Sequence, residues 1–252
     1  MKIAAIQHDI VWEDPDATRE HVRPLIAEAA AQGAQLIVLT EMYATGFSMN
    51  PDKIAEDEGG PNEQFLRDQA AAHGAYVSAS VAQRDADGNY RNNAIIAAPD
   101  GSVAARYAKI HPFSYAGEHE RYAAGTQFVT VPVGDLNVSL FVCYDLRFAD
   151  EFWALARDTD LYVVPANWPE PRNEHWRALL RARAIENQAY VLGVNRVGLA
   201  KDLPHVGSSA LINPMGERLF EGGADEAVLV AEADSKIVGE VRTKFPFLPD
   251  RR

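Results

Sequence analysis

The sequence predicts an α/β protein with mixed β-sheets, and three observations carry that prediction. Short apolar runs of strand length alternate with segments of helical periodicity along most of the chain. Two pairs of β-like runs are each joined by a tight turn, Pro99-Asp100-Gly101-Ser102 and Pro214-Met215-Gly216, giving antiparallel hairpins in an otherwise strand–helix–strand pattern. The 252 residues, 47% of them hydrophobic, suffice for a substantial core, and no repeat, low-complexity tract or linker divides them. A single domain over residues 1–252 is therefore expected.

The elements follow in order. Residues 2–8 read as a strand. A helix over about residues 16–32 is opened by Asp14-Pro15-Asp16 and stopped by Gly33, with Pro and Asp at the start and Gly at the end as capping requires. Residues 35–40 form a buried strand that delivers Glu41 at its carboxyl end. A helix over 62–73 stops at Gly74, and 76–81 is a further strand. Runs 93–98 and 103–109 make the first hairpin, the second run ending in Lys109. Residues 138–142 read as a short buried strand ending at Cys143. Then come a helix over about 149–158, a strand over 161–165, a long helix over about 174–188 and a strand over 190–195, before the second hairpin of 208–213 with 217–220. The tail over about 243–252 shows no core of its own.

Charge and composition exclude several classes. A net charge of −12 and a pI near 5.0 argue against a nucleic-acid partner, because phosphate contacts need clustered Lys and Arg. No apolar run approaches the ~20 residues that a membrane helix needs, so no membrane partner is expected. The first apolar segment breaks at His8-Asp9, too early for a signal-peptide core, and with one cysteine this points to a reducing, cytoplasmic setting. No metal-ligand cluster and no phosphate-binding glycine loop is present, so neither a metal nor an organic cofactor is expected.

The chemistry centres on Cys143, the only cysteine. A lone apolar-flanked cysteine reads as a small packing residue or as a nucleophile. Its position favours the second use, since side chains at carboxyl ends of strands face the cleft in open α/β folds. Glu41 and Lys109 end two other apolar strands, where a charge needs a partner or a task. They read either as a structural ion pair or as parts of an acyl-transfer site, in which a carboxylate takes the thiol proton and a cation stabilises the oxyanion. Histidine is the other base such chemistry uses. None of the seven histidines lies in a cysteine-protease signature, and His111 also reads as a packing or capping residue.

These residues sit in motifs that closely resemble the nitrilase superfamily of carbon-nitrogen hydrolases: Leu39-Thr40-Glu41-Met42, Tyr107-Ala108-Lys109-Ile110-His111 and Cys143-Tyr144-Asp145-Leu146-Arg147-Phe148. The resemblance extends through Ala116-Gly117-Glu118-His119-Glu120-Arg121-Tyr122, Pro165-Ala166-Asn167-Trp168-Pro169 and Arg183-Ala184-Ile185-Glu186-Asn187-Gln188 to Phe245-Pro246-Phe247-Leu248-Pro249. It implies an αββα sandwich that pairs into a homodimer or higher homo-oligomer, with the tail of residues 243–252 at the subunit interface. It also implies Glu41 as general base, Cys143 as nucleophile, Lys109 as oxyanion stabiliser aided by a backbone N–H near Tyr144, and Glu118 as a second glutamate positioning the amide or Lys109. Without the motif, Glu118 reads as a solvated charge.

Thr45-Gly46-Phe47-Ser48-Met49 and the segment from Asn167-Trp168-Pro169 to Trp176 resemble the ω-amidase subgroup. Its members release ammonia from the terminal amide of short dicarboxylic monoamides such as 2-oxoglutaramate, which implies a small-molecule amide substrate and a thioester intermediate. A carboxylated substrate needs a fixed cation, and Arg147 is the candidate, its other reading being a salt bridge to Asp145 or Glu151. Tyr144, Tyr43, Phe47 and Trp168 are candidates for the rest of the substrate pocket, with core packing the other reading of Phe47 and Trp168. Another amide or N-carbamoyl hydrolase, or a nitrilase, of the same superfamily is the sibling reading. A non-catalytic module on this fold would have lost one of Glu41, Lys109 and Cys143, and all three are present.

Overall fold

The computed structural model describes residues 1–251. In chain order the elements are β1 (Lys2–Gln7), α1 (Pro15–Ala31), β2 (Leu36–Val38), α2 (Pro51–Ile54), β3 (Glu56–Asp57), α3 (Pro61–His73), β4 (Tyr76–Arg84), β5 (Tyr90–Ala97) and β6 (Val103–Ala108). They continue with α4 (Glu118–Arg121), β7 (Thr130–Val133), β8 (Leu136–Leu140), α5 (Ala149–Leu155), β9 (Leu161–Ala166), α6 (Asn173–Asn187) and β10 (Tyr190–Asn195). The last are β11 (Val197–Ala200), β12 (Leu203–Val206), β13 (Ala210–Ile212), β14 (Arg218–Glu221), β15 (Ala227–Glu232) and α7 (Ser235–Lys244).

Two mixed sheets result. The first runs β15-β1-β2-β4-β5-β6, with β3 also on β4, and the second runs β14-β13-β10-β9-β8-β7. Their centres are parallel, β1-β2-β4 and β8-β9-β10, and their flanks antiparallel, as the hairpins in the sequence require.

The two-residue period of a strand sorts the side chains into layers. In β1, Ile3 and Ala5 face the second sheet while Ala4 and Ile6 face the helices; in β5, Ala94 and Ile96 divide from Ile95 and Ala97 in the same way. Val22 and Ile26 of α1 and Phe65, Leu66 and Ala70 of α3 cover the outer face of the first sheet. Phe152 of α5 and the i, i+4, i+8 stripe Trp176, Leu180, Ala184 of α6 cover the second. The fold is thus an αββα sandwich. Gly193 of β10 lets α6 approach closely: a Cβ there would lie 2.5 Å from Leu180 and 2.6 Å from Trp176.

Some boundaries differ from the sequence reading. The strand expected over 138–142 ends at Leu140, and Cys143 opens a 3₁₀ turn, Cys143–Arg147. β7, the β11–β12 hairpin and β15 escaped the reading because they are short or only half-buried, so their apolar pattern is weak. The tail has a seat on its own chain: Leu248 is buried, and the Arg251 guanidinium donates to Trp153 O, Glu186 O and Asn187 Oδ1. No helix among the described residues is long and apolar enough to cross a membrane.

Candidate active site

Glu41 lies in the turn that follows β2, and neighbouring strands pin that turn. Leu39 N donates to Ser78 O, Ser80 N to Thr40 O, and Met42 N to Ser80 Oγ. Met42 takes a left-handed φ of 41°, which turns the chain sharply after Glu41 and is a strained conformation for a non-glycine residue. Lys109 follows β6, where its N–H donates to Asn92 O and its carbonyl accepts from Gly125 N. Only glycine fits at 125, since a Cβ would stand 2.1 Å from Ala108 O.

These turns bring three charges into one buried array. Lys109 Nζ donates to Glu41 Oε1 (2.9 Å) and Glu118 Oε2 (2.8 Å), with Lys109 1% exposed and both glutamates fully buried. The Asn92 amide bridges the carboxylates, donating to Glu41 Oε1 (2.8 Å) and Glu118 Oε1 (3.1 Å), and Ser80 Oγ fixes its carbonyl end. Asn167 N donates to Glu41 Oε2 (2.9 Å), and Phe113 N to Glu118 Oε2. Burial alone would lower the Lys109 pKa, but Glu118 and Glu41 outweigh it and hold Lys109 as an ammonium. Burial raises the Glu118 pKa, with Glu41 adding to it against the pull of Lys109.

Cys143 also has a left-handed φ, 45°. Asp145 makes this turn possible: its Oδ2 accepts from Val142 N (2.9 Å) and Tyr107 OH (2.8 Å), and its Oδ1 from His111 N (2.9 Å) and His111 Nδ1 (3.1 Å). One buried carboxylate thereby ties the Cys143 turn to the segment that carries Lys109. Burial pushes the thiol pKa well above its ordinary value, Glu41 pushes it further and Lys109 opposes. The resting group is a thiol, and attack requires a base to remove its proton.

Cys143 lines a cavity of about 540 Å³; Glu41 and Lys109 do not line it but lie buried close enough to Cys143 to act on its thiol, and Glu118 is buried with them. Tyr144, Arg147, Phe47 and Trp168 line the same cavity. The Phe47 ring also covers Lys109 Nζ at 5.1 Å. Tyr43 does not belong to this group: it is fully buried beside Phe65 under the helix layer, its OH donating to Asn62 O. Because neighbouring residues on a turn diverge, Glu41 points inward between the sheets and Tyr43 points outward. Arg147 makes no salt bridge to Asp145 or Glu151; its guanidinium lies 4.6 Å from the Trp168 ring and meets His175 Nδ1 at 3.3 Å. Those two carboxylates are taken by His111 instead.

The sequence profile of the carbon-nitrogen hydrolase family matches residues 2–243. The chain belongs to the carbon-nitrogen hydrolase family. Among curated relatives, this hydrolase is 38% identical to the omega-amidase YafV of Escherichia coli K12, over 99% of this chain and 96% of that one. It is 34% identical to the 2-oxoglutaramate amidase of Bacillus subtilis, over 99% and 97%. Among solved structures it superposes with a TM-score of 0.95 on XC1258 of Xanthomonas campestris, a CN-hydrolase superfamily protein with an arsenic adduct in its active site; identity is 36%, over 100% of this chain and 97% of that one.

The sequence gives no sign of what four further residues near the site do. Asn92 and Asp145 are polar positions within or beside apolar runs, a signal visible only as a break in hydrophobicity. Asn167 belongs to the Pro165–Pro169 motif, which by itself does not show that its N–H reaches Glu41. Arg172 sits in the polar run Glu170-Pro171-Arg172-Asn173-Glu174, which reads as a solvated face, yet the turn before α6 presents it to the cavity.

Proposed function

We propose that this hydrolase is an ω-amidase that uses Cys143 to hydrolyse the terminal amide of short dicarboxylic monoamides such as 2-oxoglutaramate. The observation that carries the reading is a single thiol that lines a cavity and lies within electrostatic reach of Glu41 and Lys109, two members of a buried Glu–Lys–Glu array. Relatives named as ω-amidase and 2-oxoglutaramate amidase, alike over nearly the whole chain, support the substrate class.

Glu41 takes the thiol proton as Cys143 Sγ attacks the amide carbonyl, and the Lys109 ammonium stabilises the oxyanion that forms. The proton passes from Glu41 to the amide nitrogen, the C–N bond breaks, and ammonia leaves a thioester on Sγ. Glu41 then takes a proton from water, hydroxide adds to the thioester, and the acid departs as the thiol is restored. Glu118 holds Lys109 at the site, and Arg147 receives the carboxylate at the substrate's far end. A working free thiol fits a reducing, cytoplasmic setting.

Ammonia release from 2-oxoglutaramate, succinamate and simple aliphatic amides tests the reading. The wild type is expected to turn over the carboxylated amides, and Cys143→Ala to release none. Release by neither protein from any of these amides rejects it.

A further inference from the structure

The cavity in front of Cys143 carries an electrostatic asymmetry that the buried array does not account for. The chain has a net charge of −12, yet no Asp or Glu lines this cavity, whereas Arg147, Arg172 and Lys201 do. Each of these cations rests on an aromatic face. Arg147 lies 4.6 Å from the Trp168 ring, Arg172 5.5 Å from Phe113, and Lys201 Nζ 5.2 Å from Trp12.

An aromatic face holds a guanidinium through its flat side and leaves the in-plane N–H donors free for a ligand. Among the described residues neither arginine has a carboxylate partner; Arg147 meets only His175 Nδ1, and Arg172 enters the local bonding through its backbone, its carbonyl accepting from Trp168 Nε1 (2.7 Å). Both guanidiniums are half-buried on one cavity, and Arg172 is, after burial, the strongest influence disfavouring charge on Arg147. Two like charges facing one space repel until an anion enters between them. A solvated-face reading of Arg172 leaves this placement without a cause.

We propose that Arg172 is a specificity-determining residue, closing with Arg147 a two-guanidinium clamp on the carboxylate at the far end of the substrate from the amide. The inference rests on the amidase reading and extends it, since Arg147 alone would serve as a single anchor. The clamp selects amides whose distal group is anionic and leaves uncharged amides without their main binding contact.

The test is kcat and KM for succinamate and for butyramide, an uncharged amide of the same chain length, in wild type, Arg172→Gln, Arg172→Ala and Arg172→Lys. In the Gln and Ala variants the kcat/KM ratio of succinamate to butyramide falls about 10- to 100-fold, the loss for one charge-assisted contact. The fall is carried by KM with kcat held, and Lys recovers part of it. A second readout is succinate binding by calorimetry to the wild type and to the same variants, with weakening expected in Gln and Ala. Variants that keep the wild-type ratio, or that lose both substrates equally, or whose succinate affinity is unchanged, overturn the clamp. Wild-type protein that releases ammonia from no amide overturns the amidase reading instead, and the calorimetry then still judges the clamp.

Discussion

The residue on which the site's geometry hinges is Asp145 rather than Glu41, Lys109 or Cys143. Its two oxygens accept four hydrogen bonds, from Val142, Tyr107 and twice from His111, so it fixes the strained φ of Cys143 and the path of the chain just after Lys109. Asp145→Asn keeps the shape but turns one acceptor oxygen into a donor that faces donors, leaving at least one buried N–H or O–H unsatisfied. That change costs about 1–3 kcal/mol. The expected result is a fall in kcat larger than any change in KM, with slower alkylation of Cys143 by iodoacetamide. A denaturation midpoint measured alongside separates this from global unfolding; unchanged kcat and alkylation would show that the turn holds itself. Glu41, Lys109 and Cys143 were legible in the sequence because a charge or thiol that follows an apolar run stands out. Asn92 and Asp145 were not, since nothing in a one-dimensional pattern says that one amide spans two glutamates or that one carboxylate serves four donors.

At the scale of elements, the turn bearing Glu41 is anchored to β1 through a buried histidine. His8 Nδ1 faces Asp9 O at 2.7 Å and must donate to it, so Nε2 accepts from Thr40 Oγ1 at 3.0 Å, immediately before Glu41. Burial lowers the His8 pKa from its ordinary 6.5 to about 4, and burial does the same to His205 beside the cavity. Between pH 6.5 and 4 the unfolded chain binds more protons at these two sites than the folded chain does. Their contribution is therefore fully present above pH 6.5 and is lost as pH falls through that window, at up to about 1.4 kcal/mol per pH unit for each group. Urea denaturation at pH 7, 6 and 5 should show falling stability, and His8→Gln should show a shallower decline. An identical slope in the variant would mean that His8 is already charged in the fold. The long helices and central strands were legible because caps and periodicity agree over many residues. The β11–β12 hairpin beside the cavity was not, since its strands of four residues carry exposed Leu199 and Leu203 and no alternation strong enough to read.

At the scale of the whole molecule, the turns after strands of the first sheet carry Glu41 and Lys109 and the turn after β8 of the second carries Cys143, so these three side chains meet only because the sheets pack face to face. The outer surface near α5, α6 and the tail carries exposed Trp153, Ile185 and Phe247, with Arg251 over the Trp153 ring at 4.1 Å. We propose that a homodimer covers these exposed apolar side chains. Light scattering at micromolar concentration should give twice the chain mass of 27.7 kDa, with Trp153→Glu shifting it toward the monomer. A monomeric wild type would count against it.

The sequence by itself determined the α/β class, the strands that lead into Glu41, Lys109 and Cys143, and the family, because these follow from local periodicity and from motifs of a few adjacent residues; the turns that carry Glu41 and Cys143 were not read from it. Only the tertiary structure decided which side chains share the site. It excluded Tyr43, recruited Asn92, Asp145 and Arg172, and left Arg147 free of carboxylates. The physical reason is that burial, hydrogen-bond satisfaction and charge pairing depend on distances between residues far apart in the chain. Asn92 and Glu41, 51 positions apart, are held 2.8 Å from each other only because β2 and β5 both pair with β4.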